Sequence, residues 1–317
     1  MLNKMLDAAR TVAIGGHIRP DGDCVGASMG LYWYVKEKYP EKEVDVYLEK
    51  IPGKFAFLEG TKDIRHEVGE DKKYDLFVCL DCRGLERLGF SAPLFEGAKH
   101  TLCIDHHVGG QSFAEAEHVV PEASSTSELV YGLMEKEHVS LRSAEAIYLG
   151  IVHDTGVFQY SCTAPSTHMA AAELLSKGVD APKIIRETYY EKTYAQHQVL
   201  GRALLESIVF LDGKCIASYI RRREMNFFGV DRSDLDGIAS QLRNTSGVEV
   251  AIFMDEINPN VYKVSLRSGD LVDVSEIARY FGGGGHKKAA GLTLAGTPYD
   301  VINNLSRQIE IQLERER

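Results

Sequence analysis

Apolar and polar residues follow two different periods along the first half of the chain. Short, nearly continuous apolar runs end in polar residues or glycine, a pattern typical of strands buried in a parallel sheet. The runs that we predict as strands are 11–17, 43–49, 74–82 and 100–107. The segments with the spacing of helices are 22–39, 126–138, 143–153 and 166–177. This alternation predicts an α/β fold with a doubly wound parallel sheet.

The second half of the chain has a different order of elements. A helical stretch at 181–207 has no loop signature, so we expect it to join two domains. Beyond it, the pattern predicts a hairpin at 208–220, strands near 248–255 and 260–267, a helix near 273–280, a strand at 290–295 and a final helix from residue 299. We therefore predict a first domain at 1–180, a helical linker at 181–206 and a smaller α+β domain at 207–317, with a cleft between the domains.

Length, composition and charge narrow the class of protein. A chain of 317 residues fits two domains better than one. No stretch reaches the ~18–20 apolar residues that span a bilayer, and the N-terminus lacks a small-residue cleavage site, so we predict a cytoplasmic protein. Six scattered cysteines fit reduced thiols, and the single C-x-x-C sequence at 79–82 is interpreted as core packing. The net charge of −10 argues against a broad surface for nucleic acid.

Residue types that bind metal ions follow several of the predicted strands and one predicted helix. They are His17, Asp21, Asp23, Asp81, Asp105, His106, His107, His153 and Asp154. Because the carboxyl ends of parallel strands share one edge of a sheet, we expect these side chains to meet in one crevice. Carboxylates gathered in this way need cations to offset their repulsion. Carboxylates with imidazoles suit two divalent cations, of which Mn²⁺ fits best.

The sequence around the first strand allows a more detailed expectation. Asp21 and Asp23 are expected to lie in an extended loop and to face different metal ions, with His17 beside Asp21.

A glycine-rich segment, GGGGH at 282–286, is the second candidate for chemistry. It precedes KKAAG, which is predicted to start a helix, and glycines at such a place let backbone N–H groups approach a phosphate. On this pattern alone, a flexible loop is an equal alternative. The run at 221–223 of three arginines is interpreted as a solvated face outside any site.

The motifs together resemble a known family. The four segments that carry the predicted ligands are similar to motifs one to four of the DHH phosphoesterase superfamily, which is named after a triplet such as Asp105-His106-His107. FGGGGHKKAAG at 281–291 resembles the signature of the DHH-associated C-terminal domain. The resemblance covers nearly the whole chain, and it is greatest to the nano-RNase and pAp-phosphatase branch.

This resemblance implies a role for each residue of the motifs. The first metal ion would be held by His17 and Asp21, and the second by Asp23, His106 and Asp154, with Asp81 bridging the two. Asp105 would fix the tautomer of an imidazole, His107 would face the scissile phosphate, and His153 would pack behind the site. The substrate would be bound by Gly283, Gly284, Gly285, His286 and Arg267.

The implied activity is Mn²⁺-dependent hydrolysis of very short RNA or DNA to mononucleotides, together with phosphatase activity on 3′-phosphoadenosine 5′-phosphate (pAp). A phosphodiesterase for pApA or cyclic di-AMP is an open alternative. A non-catalytic nucleotide- or RNA-binding module is a second alternative, disfavoured because no ligand of the motifs is missing. The glycine-rich segment disfavours a family II pyrophosphatase, and the length disfavours a RecJ-type exonuclease. Polarity, and the choice between monomer and homodimer, stay open.

Overall fold

The computed structural model describes residues 1–69 and 72–315. The chain divides into two compact units, Met1–Glu191 and Lys192–Arg317. The division falls inside the segment for which we expected a continuous helical linker, because that segment is interrupted after Tyr190. Thr193 starts a new helix there: its hydroxyl accepts the N–H of Gln196, and the Gln196 side chain accepts the N–H of Thr193. This reciprocal capping fixes the start of a separate helix.

Five parallel strands form the centre of the first unit. They are β1 (Thr11–Gly15), β2 (Glu43–Tyr47), β3 (Leu76–Leu80), β4 (His100–Asp105) and β5 (Ala116–Val119). Their order in the sheet is β2-β1-β3-β4-β5, so the winding direction reverses between β1 and β3. The predicted doubly wound parallel sheet is confirmed. The sequence pattern missed β5, whose four residues are all half-buried and show no apolar run.

Helices cover both faces of this sheet. They are α1 (Leu2–Ala8), α2 (Gly22–Lys38), α3 (Ala92–Glu96), α4 (Thr126–Leu133), α5 (Leu141–Asp154), α6 (Pro165–Ser176) and α7 (Ala181–Ile185), the last followed by a wider helical turn at Arg186–Tyr190. Strand residues such as Val78 share a core with α2, α4 and α5 on one face. Residues such as Phe77 pack with α3 on the other face. Burial on both faces explains why these strands are continuously apolar.

Two glycines let α2 and α5 approach each other closely. A Cβ added to Gly26 would lie 2.6 Å from the carbonyl oxygen of Ala146 and 2.7 Å from the backbone nitrogen of Gly150. A Cβ added to Gly150 would lie 1.9 Å from Oγ of Ser127 and 2.9 Å from Oδ1 of Asp23. This contact brings Asp23, near the start of α2, close to Asp154, at the end of α5.

The second unit is a mixed six-stranded sheet between two layers of helices. Its strands are β6 (Ile208–Phe210), β7 (Cys215–Ile220), β8 (Val250–Asn258), β9 (Val261–Ser268), β10 (Gly284–His286) and β11 (Ala289–Ala295), in the order β10-β11-β9-β8-β7-β6. Its helices are α8 (Tyr194–Leu205), α9 (Arg222–Phe228), α10 (Ile238–Arg243), α11 (Val274–Tyr280) and α12 (Pro298–Arg315). The predicted smaller α+β unit is confirmed. In the part of the chain that the structure describes, no helix is long and apolar enough to cross a membrane.

The glycine-rich segment does not lead into a helix, and this expectation was wrong. Gly284–His286 is an edge strand that pairs with β11 in an antiparallel hairpin. A Cβ on Gly283 would lie 2.3 Å from the carbonyl oxygen of Gly291, and one on Gly285 would lie 2.5 Å from that of Ala289. Gly285 also has φ +145°. Glycine is needed here because the two strands pack too closely for a side chain. The prediction of a helix start had instead assigned the glycines to a phosphate-binding turn.

The close contact of α2 and α5 predicts a large effect of one added methyl group. Gly26→Ala should lower the free energy of unfolding by about 1–3 kcal/mol, because the methyl group meets the α5 backbone. Gly132→Ala is the matched control, since a Cβ at that position of α4 meets nothing within 4 Å. It should raise stability by up to about 1 kcal/mol through helix propensity. Urea unfolding of both variants measures this, and equal effects would contradict the packing described for Gly26.

Candidate metal centre

Two of the predicted ligands lie where the sheet reverses its winding direction. His17 follows β1, and Asp81 follows the neighbouring strand β3. Nε2 of His17 is 3.4 Å from Oδ2 of Asp81 and 3.7 Å from Oδ1 of Asp21. Nδ1 of His17 donates to the carbonyl oxygen of Ile18 at 2.8 Å, so Nε2 is the nitrogen that faces the carboxylates. Metal-binding histidines are commonly oriented in this way.

Asp81 has a backbone conformation that aspartate seldom adopts. Its φ angle is +54°, and the residue is 2% exposed. Oδ2 faces His17, whereas Oδ1 is 3.7 Å from Nε2 of His106 and accepts a hydrogen bond from the Thr126 hydroxyl at 3.1 Å. Backbone strain of this kind is often kept where a side chain must be aimed at a site. The two oxygens of Asp81 therefore face two different groups of ligands.

The second group consists of Asp23, His106 and Asp154. Nε2 of His106 is 3.3 Å from Oδ2 of Asp154 and 3.9 Å from Oδ2 of Asp23. One ligand atom from each of the three residues lies within 4.8 Å of the other two. Asp23 also accepts the backbone N–H groups of Thr126 and Ser127 at 2.6 and 2.9 Å. These donors lie in the first turn of α4, where the helix dipole favours a carboxylate.

Asp21 and Asp23 do not lie in the extended loop that we expected. Asp21 is the N-cap of α2 and accepts the N–H groups of Asp23 and Cys24, both at 3.1 Å. In an extended segment, side chains two positions apart would lie on the same side. The start of a helix instead places Asp21 near His17 and Asp23 near His106. The two aspartates do face different groups, and the helix N-terminus is the cause.

Asp105 and His107 form a hydrogen-bonded pair beside these groups. Asp105 is fully buried, and its Oδ1 accepts a hydrogen bond from Nδ1 of His107 at 2.8 Å. This hydrogen bond raises the pKa of His107, with burial acting against it. The His107 side chain is 27% exposed. The imidazole of His107 is therefore held in one orientation and is partly open to solvent beside the carboxylates.

The contribution of α4 to the site was not predicted, although the sequence contains a signal for it. The hydroxyl of Ser125 accepts the N–H of Glu128 at 3.0 Å and caps the helix. Ser125 and Glu128 have the S-x-x-E spacing that marks a helix start. The sequence gives no indication that this helix start would meet Asp23, more than a hundred residues earlier.

Cys24 and His153 lie close to the ligands. The sulfur of Cys24 lies within 4.8 Å of donor atoms of His17 and Asp81. Burial, followed by the charge of Asp81, raises the pKa of Cys24 well above its ordinary value. The ring of His153 occupies the space where a Gly22 side chain would be, and its Nε2 is 2.9 Å from the Thr188 hydroxyl.

The electrostatics of the two groups fit bound cations. Burial, followed by the charge of Asp81, raises the pKa of Asp23 to about 7. Burial, followed by the charges of Asp23 and Asp81, raises the pKa of Asp154 to about 9. Burial alone would lower the pKa of His17, but hydrogen bonds to Asp21 and Asp81 raise it to about 10. Carboxylates and imidazoles that hold protons so strongly are the donor set that a divalent cation would stabilise in deprotonated form.

The predicted substrate-binding residues of the second unit lie on neighbouring strands. Arg267 of β9 is directly beside Ala289 of β11, and β11 pairs with the glycine strand Gly284–His286. Arg267 lines a polar cavity of about 180 Å³, together with Arg232, Ser240, Asp255 and Lys263 among other residues. Asp236 also lines the cavity, and Nε of Arg232 is 2.6 Å from Oδ2 of Asp255, so three cationic side chains face two acidic ones. The small positive excess is compatible with a phosphate group.

Comparison with known sequences identifies both units. The family model described as "DHH family, N-terminal domain" matches residues 11–151, and that of the "DHHA1 domain" matches residues 212–314. The chain belongs to the DHH family of phosphoesterases. The matched DHH range contains every candidate ligand described above except Asp154, which lies three residues beyond it.

Relatives of this DHH protein are similar over most of their length. It is 28% identical to the bifunctional oligoribonuclease and PAP phosphatase NrnA of Bacillus subtilis, over 90% of this chain and 89% of that protein. It is 29% identical to the NrnA of Thermus thermophilus, over 91% of this chain and 86% of that protein. A crystal structure of an exopolyphosphatase-related protein from Bacteroides fragilis matches with a TM-score of 0.89 and 28% identity, over 99% of this chain and 94% of that one. The DHH family implies use of divalent metal ions.

The raised pKa values of the DHH domain predict how metal binding depends on pH. A carboxyl group whose pKa is raised by folding stabilises the fold below its unfolded pKa, and this contribution is lost as pH rises through the folded value. For Asp23 and Asp154 the loss covers pH ~4 to 9, and the contribution of His17 also falls over the upper part of this range. The metal-free protein should therefore lose stability with rising pH, and added Mn²⁺ should raise Tm by about 5 °C more at pH 8.5 than at pH 5.5.

Thermal unfolding with EDTA or Mn²⁺ at the two pH values measures this difference. Asp154→Asn should reduce it strongly. Glu137→Gln is the matched control, because Glu137 belongs to a surface group with Glu135 and His138 that could also hold an ion. A difference that disappears in Glu137→Gln and survives in Asp154→Asn would place the metal ion on the surface instead.

Proposed function

We propose that this DHH protein hydrolyses phosphoester bonds of very short oligonucleotides with the help of two divalent cations, most suitably Mn²⁺. The observation that carries the proposal is that Asp81 directs its two oxygens toward two separate groups of ligands. The residues proposed to hold the first ion are His17 and Asp21, and those for the second are Asp23, His106 and Asp154, with Asp81 shared. Oxygen and imidazole ligands without thiolate suit Mn²⁺.

The cations would supply Lewis acidity toward the phosphoryl group and lower the pKa of a coordinated water. The residues of the chain stabilise charge on the substrate and hold the carboxylates in position. Asp105 holds Nδ1 of His107 and favours its protonated form, so His107 is proposed to stabilise negative charge on the phosphate oxygens. The strained backbone of Asp81 and the N–H groups of α4 keep the carboxylates in place without substrate.

The choice of substrate is supported by the named activities of the NrnA relatives and by the second unit. A small cavity with Arg267, beside a glycine strand whose backbone is accessible, fits the terminal phosphate of a short chain. Arg267, Gly283, Gly284, Gly285 and His286 are proposed to bind this end. The net charge of −10 is consistent with a substrate that has few phosphates. pAp is proposed as a second substrate. Like the end of a short 5′-phosphorylated chain, it has one phosphate group that can be bound and a second one that can be cleaved.

Product release from a labelled RNA length series tests the proposal. With Mn²⁺ present, di- to pentanucleotides should be cleaved to mononucleotides faster than chains of about 20 residues, and pAp should be dephosphorylated. Asp81→Asn should reduce the rate by at least about a thousandfold, because both groups of ligands lose their shared residue. Faster turnover of cyclic di-AMP would change the substrate and keep the mechanism. Absence of hydrolysis by the unaltered protein would contradict the proposal.

The role of Arg267 predicts a dependence on the terminal phosphate. Arg267→Ala should raise KM for pApA about 10- to 100-fold, because a charge-assisted hydrogen bond is lost. The same variant should change KM for ApA, which has no terminal phosphate, by much less. Arg223→Ala, from the exposed arginine run, is the matched control and should leave both values unchanged. Equal losses on pApA and ApA would show that Arg267 does not bind the terminal phosphate.

A further inference from the structure

Three tyrosines of the first unit form a continuous aromatic surface, which we call the tyrosine surface. They are Tyr160, Tyr189 and Tyr190. The hydroxyl groups of Tyr160 and Tyr189 are 3.5 Å apart, and the rings of Tyr189 and Tyr190 have centroids 5.3 Å apart. Tyr160 is 50% exposed and Tyr190 is 54% exposed. Large aromatic rings exposed together are uncommon unless they bind something.

The tyrosine surface packs at two places against residues that lie next to the proposed ligands in the sequence, namely His153 before Asp154 and Gly156 two residues after it. The ring of Tyr189 packs against His153, with centroids 5.7 Å apart. His153 in turn fills the space beside Gly22, the residue between Asp21 and Asp23. At the second place, the ring of Tyr160 covers Gly156, where an added Cβ would lie 2.5 Å from the ring.

The backbone that supports Tyr160 is strained. Gly156, Val157 and Phe158 have φ angles of +56°, +59° and +63°, so three consecutive residues have positive φ one residue beyond the C-cap position that follows Asp154, the last residue of α5. A positive φ is especially unfavourable for a β-branched valine. Hydrogen bonds hold this turn, including one from the N–H of Val157 to the carbonyl oxygen of Val152 at 2.8 Å. Strain retained beside a ligand residue is typical of a functional position.

The other two tyrosines come from an unusual helical turn. Arg186–Tyr190 forms a single π-helical turn, closed by a hydrogen bond from the N–H of Glu191 to the carbonyl oxygen of Arg186 at 2.7 Å. Such turns are rare and are often found at functional sites. Thr188 in the same turn is buried and its hydroxyl lies 2.9 Å from Nε2 of His153, so the turn is anchored to the residue that precedes Asp154.

We propose that Tyr160, Tyr189 and Tyr190 bind a nucleobase of the substrate by stacking, next to the phosphate that is cleaved. This inference rests on the proposed function, because it places the base of an oligonucleotide beside the metal centre. Every base has an aromatic face, so stacking gives affinity without sequence selection. The base that stacks here would be one attached to the reacting phosphate, because the tyrosines pack around His153 and Gly156, the neighbours of Asp154 in the sequence.

A cycle of variants and substrates tests the proposal. Tyr190→Ala and Tyr160→Ala are assayed with Mn²⁺ on a dinucleotide and on the two analogues in which one or the other base is replaced by hydrogen. KM for the full dinucleotide should rise about tenfold in each variant. The effect should vanish with one of the two abasic analogues, and Tyr190→Phe, which keeps the ring, should raise KM much less than Tyr190→Ala. Tyr299→Ala is the matched control, because Tyr299 is 61% exposed on α12 of the second unit.

Two results would overturn the proposal. Equal effects of the tyrosine variants on full and abasic substrates would show that they act through the fold or the metal centre. Unchanged KM in both alanine variants would show that the rings bind no base. Failure of the proposed function is seen separately, because the unaltered protein would then cleave neither full nor abasic dinucleotides.

Binding can be followed without turnover. A dinucleotide that contains 2-aminopurine, added to Asp81→Asn, should lose fluorescence on stacking, and Tyr190→Ala in that background should restore it. Unchanged quenching in the double variant would contradict stacking on Tyr190.

Discussion

The repulsion between carboxylates at one edge of the sheet is the constraint on which the first unit depends. Burial, together with the mutual repulsion of Asp23, Asp81 and Asp154, raises the pKa values of Asp23 and Asp154 far above those of free carboxyl groups. Folding places them together because the packing of the core fixes the strand and the helices that carry them. Asp81 ends a fully buried strand, and Asp23 and Asp154 are brought together where glycines let α2 and α5 touch. Cations bound at the proposed site would offset the repulsion that this arrangement creates.

The same arrangement explains why the site is made from segments far apart in sequence. In the order β2-β1-β3-β4-β5, the strands that precede His17 and Asp81 are neighbours, and the strand that precedes His106 is next in the sheet. The first turn of α4 also contributes two backbone N–H groups, which donate hydrogen bonds to the carboxylate of Asp23. The energetic effect of these donors is large because they act in a buried place, where partial charges are poorly screened.

The features that follow from regular periodicity were predictable from the sequence. Parallel strands buried on both faces appear in the sequence as apolar runs. Because the carboxyl ends of such strands share one edge of the sheet, the sequence predicted that His17, Asp81 and His106 lie close together. The predictions failed where local sequence permits two structures. Glycines at 282–285 allow a helix start or a close strand pair, and the contact with Gly291 that decides between them is not local. Asp21 and Asp23 were expected in an extended loop, whereas Asp21 caps α2.

Anomalous scattering from crystals grown with Mn²⁺ tests the central claim most directly. The account predicts two peaks about 3.5–4 Å apart, one on each side of Asp81. One should lie among His17, Asp21 and Asp81, and the other among Asp23, His106, Asp154 and Asp81. A single peak, or a peak only at Glu135, Glu137 and His138 on the surface, would contradict the claim that this edge of the sheet is built around two cations.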